Sequence, residues 1–178
     1  MRLLLTAASA LASLHAEVAD SAANGFTVKQ TWTIQAAPDA VYQGFVHKIG
    51  DWWNSAHTFS GDAHNLTIDP KATGCFCEKI PKAQGTVRHL EVVFLLPGKL
   101  IRFTGGMGPL QSMAVNGAMT VQFSPASDGA ATKLDLTYAV GGYMNQGLNT
   151  MAPNVDMMLM EQFGRLKSYL ETGSPVKK

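Results

Sequence analysis

The stretch MAPNVDMMLMEQFGRLKSYLE, residues 151–171, decides the fold of this 178-residue chain. A proline stands near its start, and its interior-type residues recur with the 3.6-residue period of an amphipathic helix. This stripe consists of Val155, Met158, Leu159, Gln162, Leu166, Tyr169 and Leu170. We therefore predict a long C-terminal helix over residues 151–171 that stops near Gly173 and covers one face of a sheet.

The residues before this helix have the alternating pattern of half-buried strands. Apolar and polar side chains alternate at 113–123 and again at 132–140, which places each set on its own face of a strand. Turn signals rich in proline and glycine separate the strands between Leu66 and Tyr143. We predict an antiparallel meander with one solvent-exposed face and one face that needs cover.

The N-terminal part adds a strand and two short helices. Residues 26–36 alternate as a strand does, the letters PD begin a helix over 38–48, and DWW lies in a second helical turn within 50–54. This order of elements predicts an α+β helix-grip fold. In that fold, a curved antiparallel sheet, of about six or seven strands here, wraps the last helix and encloses a cavity.

Composition and charge describe one compact domain and exclude several partners. Hydrophobic residues make up 46% of the chain and charged residues 15%, with a formal net charge of +1. Because soluble domains usually contain about 25% charged residues, we expect neither a disordered charged tail nor a nucleic-acid partner. The sequence also lacks GxSxG, HExxH and phosphate-loop motifs, so it contains no self-sufficient catalytic motif.

The first 23 residues are predicted to be a signal peptide. Arg2 precedes an apolar run from Leu3 to Leu14, which is shorter than the roughly 20 residues that cross a bilayer. We expect no transmembrane segment. Small residues allow cleavage between about positions 13 and 24, leaving a single domain over 24–173, a tail over 174–178 and a periplasmic or secreted protein. The alternative for this N-terminus is an amphipathic helix.

The cysteines of the chain stand at i and i+2, as Cys75 and Cys77. On an extended strand their α-carbons lie near the upper limit for a disulfide, so we predict two free buried thiols. His57, His64 and His89 are zinc ligands by type, but no CxxC or HxxxH spacing supports a site. We predict no metal and no cofactor.

Several segments of residues 26–171 carry a family resemblance when taken together. They are AAPDAVY, IGDWW with HTFSGDAHNL, GCFCEKIP with TVRHLEVVF, PGKLIRFTGGMGPLQ, and YAVGGY before the last helix. On these segments the chain resembles the SRPBCC superfamily (START-like), within the branch related to the activator of Hsp90 ATPase. The resemblance implies a hydrophobic-ligand cavity between sheet and C-terminal helix. Its members include binding proteins, cyclases, hydrolases and co-chaperone domains, so fold is implied more firmly than activity.

Methionines and tryptophans supply the first candidate cavity residues. Methionine is concentrated near the last helix, where it either forms deformable ligand-binding walls or fills gaps in an ordinary core. Of the tryptophan pair, one should anchor the small helix on the sheet and the other should lie near the cavity rim. The full set of predicted ligand-binding residues is Trp52, Trp53, His57, Phe76, Glu78, Arg88, Leu110, Tyr143, Met151 and Met158.

The hairpin over residues 75–96 carries a sharper prediction. One face of its second strand is more uniformly apolar and should point inward; that face holds Arg88, Leu90, Val92, Phe94 and Leu96. A loop centred near Ala83 sets Phe76 opposite Leu90. The same register sets Glu78 opposite Arg88, which predicts a cross-strand ion pair at one end of the cavity. That pair either is structural or lets Arg88 orient a ligand carboxylate or hydroxyl.

The same register places Cys77 beside His89 on the outer sheet face. A catalytic dyad there is disfavoured, because an outward strand surface offers neither a pocket nor oxyanion donors. The best candidate base is His57, in the loop after Trp53, where a rim residue reaches a bound ligand. The alternative for His57 is an ordinary solvated loop histidine.

Three functions are compatible with these features. The leading hypothesis is an exported domain that binds a small hydrophobic molecule without transforming it. The second is a cyclase- or hydrolase-like enzyme that uses His57, or Glu78 with Arg88, on an apolar substrate in the same cavity. The third is a protein-interaction module. The protein is either a monomer or a homodimer, because Val93 and Leu95 would be exposed on the outer sheet face of a monomer.

Overall fold

The computed structural model describes residues 15–127 and 129–176 and has the predicted α+β architecture. One antiparallel sheet contains the strands β1 (His15–Ala22), β2 (Gly25–Ile34), β3 (Leu66–Ile68), β4 (Cys75–Ile80), β5 (Gly85–Leu96), β6 (Leu100–Thr104), β7 (Ala114–Pro125) and β8 (Thr132–Tyr143). The α-helices are α1 (Pro38–His47), α2 (Ile49–Trp52) and α3 (Ala152–Thr172). The order of strands across the sheet is β1-β2-β8-β7-β6-β5-β4-β3.

The long C-terminal helix α3 lies within one residue of its predicted bounds. Its apolar stripe faces the sheet and is buried at Val155, Leu159, Phe163 and Leu166. The Lys167 ammonium donates a 2.6 Å hydrogen bond to the Thr33 carbonyl of β2, which fixes the helix across that strand. Gly173 ends the helix in the left-handed region at φ 77°, where its N–H caps the Tyr169 carbonyl.

The two short helices follow β2, as predicted, and complete the core beside α3. Pro38 and Asp39 occupy the first turn of α1, where proline is tolerated and a carboxylate favours the helix dipole. Phe45 of α1 stacks on Trp52 of α2 and on Phe163 of α3, with ring centroids 6.0 and 5.9 Å apart. These aromatic contacts join all three helices in one apolar cluster.

The sheet has more strands than the predicted six or seven. The additional strands are β1, which pairs with β2 at one edge, and the three-residue β3 at the other edge. Strand β1 lies within the stretch predicted to be a leader, whereas positions 1–14 are outside the described residues. In the described part of the chain, no helix is long and apolar enough to span a membrane.

The prediction of two free thiols is wrong. Cys75 and Cys77 form a disulfide, and their α-carbons are 5.3 Å apart. This separation lies within the range that a disulfide bridges. The prediction assumed a fully extended strand, whereas β4 is contracted here, beside a register shift between Phe76 and Cys77.

That register shift also overturns the predicted ion pair. Phe76 lies opposite Leu90 as predicted, but Cys77 lies opposite Arg88, so β5 has an extra residue, His89, between these two pairs. Glu78 therefore faces Val87 instead of Arg88. Arg88 is exposed and pairs with Glu91 at 2.5 Å. The predicted position of His89 beside Cys77 on the outer face is wrong as well, because the bulge turns its ring into the protein.

A second register shift changes the far end of β5. It lies between Val92 and Phe94, so Val92 is buried while Phe94 and Leu96 are exposed, although the sequence predicted that all three face inward. Val93 is exposed as predicted, whereas Leu95 packs against the edge of the core. Strict alternation predicts the inner face only as far as each bulge, since one extra residue exchanges the two faces.

Candidate functional site

A cavity of about 220 Å³ lies where the β4–β5 hairpin meets α3. Loop residues 56–59 and 107–109 close it from two sides. Its apolar lining residues are Trp53, Ala56, Phe59, Leu66, Phe76, Met107, Pro109 and Met158. Polar lining groups come from His57, Thr58 and His89. Mostly apolar walls with a few polar groups are typical of a small-molecule site.

The inner wall of this cavity is deformable. Trp53, Phe76 and Met107 border the cavity on one side and a void of about 10 Å³ in the core on the other. Methionine has several rotatable bonds and fills irregular space, so Met107 can change rotamer at low cost. Met119 borders the same inner void. The wall between the cavity and this void therefore contains adaptable methionine side chains.

The two tryptophans have different roles, and Trp52 anchors its helix on α1 and not, as predicted, on the sheet. Trp52 is fully buried, and its indole N–H donates to the Gly44 carbonyl at 3.1 Å, so it anchors α2 on α1. Trp53 lines the cavity and packs edge-on against Phe76 at a centroid distance of 5.5 Å. Its indole N–H donates to the His57 carbonyl at 3.1 Å, which holds the rim loop in place.

The rim of the cavity is tied to α3 by a cluster of polar contacts. The His57 imidazole lies 3.0 Å from the Glu161 carboxylate, and the Asn54 side chain donates to the same carboxylate. Hydrogen bonds from Asn54 and His57 hold the pKa of Glu161 below its ordinary value, against the opposing effect of partial burial. The Asn54 backbone N–H also donates to the Gln162 amide oxygen at 2.8 Å.

Glu78 and His89 form a buried polar pair at the cavity wall. Glu78 is 1% exposed and His89 is 5% exposed, and the His89 Nε2 lies 3.0 Å from the Glu78 carboxylate. The same carboxylate accepts hydrogen bonds from the backbone N–H groups of Phe59 and Ser60, at 3.1 and 2.5 Å. A buried carboxylate is stable only when its oxygens are satisfied in this way.

The protonation states of this pair follow from its surroundings. Burial raises the pKa of Glu78, but the hydrogen bonds from Ser60, Phe59 and His89 outweigh it and leave the pKa below its ordinary value. Burial lowers the pKa of His89, with the neighbouring Glu78 acting in the opposite direction. Glu78 is therefore an anion and His89 a neutral imidazole near pH 7. Because a carboxylate only accepts, the His89 proton lies on Nε2 and its Nδ1 is unprotonated.

Two aromatic rings hold the His89 imidazole. Its ring stacks on Phe59 at a centroid distance of 5.8 Å with an 18° interplanar angle, and it packs against Phe76 at 5.0 Å. The β5 bulge supplies the backbone position, and the two rings and Glu78 fix the orientation. Bulges are common beside active sites because they redirect a side chain in this manner.

The cavity wall formed by the loop at residues 107–109 is held in place by a tyrosine from the central strand β8. The Tyr138 hydroxyl of β8 donates to the Gly105 carbonyl and accepts from the Met107 N–H, both at 3.0 Å. Burial raises the pKa of Tyr138 to about 12, so the phenol stays protonated. Gly117 leaves room for this ring, since a Cβ there would lie 2.6 Å from Tyr138 Cε2.

The remaining predicted ligand-binding residues lie away from the cavity lining. Leu110 is buried in the core, and the Glu78 carboxylate sits behind His89. Arg88 is exposed and pairs with Glu91 at the surface. Tyr143 is exposed at the end of β8. Met151 precedes α3 and packs at the edge of the core. Among the predicted set, the lining residues are Trp53, His57, Phe76 and Met158.

Sequence reasoning missed His89, Phe59 and Met107 as cavity residues. His89 was assigned to the outer face because regular alternation gives no sign of a bulge. Phe59 lies in a polar loop, and the only available signal was an aromatic residue isolated among Ser, Gly and Asp. The glycine pair before Met107 indicated a bend, but alternation could not show that its loop folds over the cavity.

The histidines considered as zinc ligands have separate partners. His57 lies beside Glu161, His64 beside Asp62 and His89 beside Glu78. Within residues 15–127 and 129–176, no group of three or more His, Cys, Asp and Glu side chains is arranged to hold a metal ion.

Comparison with known proteins relates this chain to solved structures. No protein-family model matches it, and no curated protein matches its sequence. A conserved protein of unknown function from Enterococcus faecalis superposes with a TM-score of 0.59 at 12% identity, covering 93% of this chain and 82% of that one. An uncharacterised protein from Rhizobium leguminosarum gives a TM-score of 0.59 at 16% identity, with coverages of 89% and 98%.

A third similar structure is CalU16 from Micromonospora echinospora. It gives a TM-score of 0.53 at 14% identity and covers 92% of this chain and 84% of that one. At these identities the likeness shows the fold alone. The chain thus shares its architecture, an antiparallel sheet with a long C-terminal helix, with these three proteins.

Proposed function

We propose that this chain is a member of the SRPBCC superfamily that binds a small hydrophobic molecule between the sheet and α3. The observation that supports this function best is the cavity of about 220 Å³ with its apolar walls. Trp53, Phe76 and Met158 supply broad apolar contact surface, and burying such surface drives the binding of apolar ligands.

The size of the cavity limits the ligand. An engineered protein cavity of about 150 Å³ holds benzene, so 220 Å³ suits a molecule of one or two rings or a short branched chain. The deformable wall at Met107 extends this range modestly. A long acyl chain would require larger rearrangement of the core.

Native mass spectrometry of the protein purified from its own host tests this proposal. Organic extraction then identifies any released molecule. We expect one apolar molecule per chain, and its identity would define the ligand class. Consistently empty protein that also fails to bind a panel of one- and two-ring compounds would contradict the proposal.

A matched pair of variants locates the site. Met158 lines the cavity, whereas the adjacent Met157 is 64% exposed on α3. Met158→Trp should fill much of the cavity and weaken binding at least about tenfold, while Met157→Trp should bind as the wild type does. Equal affinities for the two variants would place the ligand elsewhere.

The second candidate is a cyclase- or hydrolase-like enzyme acting on an apolar substrate in the same cavity. It is favoured by the two imidazoles, His57 and His89, that line otherwise apolar walls, since histidine is the commonest general acid or base. Loss of turnover in His57→Ala or His89→Gln with ligand binding kept would support an enzyme. Retention of every activity in both variants would argue for binding alone.

We also propose export to the periplasm or outside the cell, on the strength of the basic start and apolar run at the N-terminus. The intact mass of the protein from its native host tests this. A mass that lacks about 12 to 23 N-terminal residues is expected, and a full-length mass would contradict export.

The oligomeric state is tested separately. Val93, Phe94 and Leu96 expose apolar surface on β5, which a homodimer would cover. Light scattering after gel filtration distinguishes the monomer from the dimer, and Val93→Lys would separate a dimer held by this surface.

A further inference from the structure

The environment of His89 restricts the chemistry of the ligand, if the proposed function holds. Its Nε2 is engaged by Glu78, and that buried carboxylate also accepts hydrogen bonds from the backbone N–H groups of Phe59 and Ser60. The ring therefore cannot rotate to present Nε2 without leaving a buried carboxylate short of a donor. This arrangement fixes which nitrogen is available.

The available nitrogen is Nδ1. Among residues 15–127 and 129–176, no group makes a hydrogen bond with it. It is also not one of the fully buried polar atoms of those residues that lack a partner, so it keeps some accessible surface. The ring itself is 95% buried and lines the cavity. We infer that Nδ1 faces the cavity that this ring lines, where a ligand would meet it.

The rest of the lining determines which partner suits this nitrogen. In the described part of the chain, neither lysine nor arginine lines the cavity, so a ligand carboxylate would find no cation. Nδ1 in the neutral imidazole is an acceptor. A purely apolar ligand would cover it and leave an acceptor without a partner, which is unfavourable in a dry site.

We propose that the ligand is a neutral, mostly apolar molecule with one hydroxyl group, and that this hydroxyl donates its hydrogen bond to His89 Nδ1. A phenol or a ring alcohol of one or two rings has this chemistry. Glu78 acts through His89 as a positioning residue, because it holds the proton on Nε2 and keeps Nδ1 free.

Paired ligands of equal shape test the proposal. The probes are 1-naphthol and 1-methylnaphthalene, which differ by a hydroxyl against a methyl group, titrated calorimetrically into the full-length protein and into His89→Phe. We expect the affinity ratio in favour of 1-naphthol to fall about 3- to 10-fold in His89→Phe, which is the usual worth of one buried hydrogen bond. Phenylalanine keeps the aromatic stack and removes the acceptor.

A second measurement needs no variant at His89. In the wild type, lowering the pH protonates Nδ1 and turns it from an acceptor into a donor, so the preference for 1-naphthol over 1-methoxynaphthalene, whose oxygen only accepts, should fall. The titratable groups in contact with the ring or sharing the cavity are Glu78 and His57; Met107 and Met158, from the other walls, carry no charge. Repeating the titration in His57→Asn removes the contribution of that second histidine.

The outcomes separate the inference from the function on which it rests. A naphthol preference that falls in His89→Phe and in acid supports the hydroxyl ligand. Binding of both probes with a ratio that neither change alters overturns the inference and leaves a hydrophobic binding protein. Failure of both probes to bind, in folded protein, contradicts the proposed function and the inference together. If His89→Phe does not fold, the pH titration alone decides.

Discussion

The two halves of the sheet are built differently. Strands β2, β8 and β7 pair with one another without a register shift, whereas β5 carries one shift toward β4 and another toward β6. In the regular half, apolar side chains alternate inward and stabilise the fold through burial. In the irregular half, the shift at His89 turns an imidazole into the interior beside a buried carboxylate. Regular pairing holds the fold, and its interruption builds the site.

The largest loss of stability should come from truncating a core side chain in the regular half of the sheet. Leu134 on β8 is fully buried, so Leu134→Ala should lower the free energy of unfolding by about 2–5 kcal/mol through lost burial and the cavity left behind. Urea denaturation measures this. The neighbouring exposed Lys133→Ala is the control and should change stability by less than about 1 kcal/mol. Equal losses for the two variants would contradict the assignment of faces.

A smaller loss should follow from breaking the polar pair of the irregular half. Glu78→Gln keeps the shape of the side chain but removes the charge that accepts three hydrogen bonds. We expect a loss of about 1.5–3 kcal/mol, the range for hydrogen bonds to a charged group. The matched control is Glu91→Gln at the surface pair with Arg88, expected to cost about 1 kcal/mol at most. A larger loss in Glu91→Gln than in Glu78→Gln would show that the buried pair does not stabilise the fold.

Removing the Tyr138 hydroxyl, which ties β8 to the loop at residues 105–107, should lower the free energy of unfolding by a smaller amount. Tyr138→Phe deletes the hydroxyl that bridges Gly105 and Met107 and should cost about 1–2 kcal/mol, because the Met107 N–H loses its partner. Backbone hydrogen exchange at residues 105–107 should also become faster than in the wild type. Unchanged exchange there would show that the wall is held by other contacts.

The pH dependence of stability sharpens the comparison further. His89 has a folded-state pKa below its ordinary 6.5 because burial disfavours its charged form. Its contribution is therefore fully present above about pH 6.5 and is lost as the pH falls toward the folded pKa, where the unfolded chain binds the proton more readily. Glu78, whose pKa is also lowered, adds a loss of the same sign at lower pH.

Urea unfolding at several pH values between about 8 and 5 measures this slope. His89→Gln should flatten the upper part of the profile, because it removes the buried group whose pKa is lowered. A profile that keeps its slope in His89→Gln would assign the acid sensitivity to other groups.

The sequence predicted the fold well because its signals are local and periodic. The bounds of α3 and the inner face of β2 follow from side-chain spacing alone, and both are confirmed by buried residues such as Leu159 and Trp32. Of the predicted site residues, Trp53, His57, Phe76 and Met158 line the cavity.

The site was harder to predict because it depends on departures from periodicity. One extra residue at His89 moved that ring inside, left Arg88 in solvent and replaced the expected partner of Glu78. The disulfide between Cys75 and Cys77 was missed because ideal strand spacing was assumed. Neither departure leaves a mark in the alternation of a single sequence.

Strand β1 protects one edge of the sheet from pairing with other copies of the chain. It covers one side of β2, and its described residues include Glu17 and Asp20, charges that discourage the addition of another strand. At the other end, β3 offers only three residues for pairing. Cleavage after Ala23 would remove β1 and open ten residues of β2 to a neighbouring chain, whereas a cut before His15 would keep it. If the proposed export involves such a cut, its position would set the tendency of the remaining chain to aggregate edge to edge.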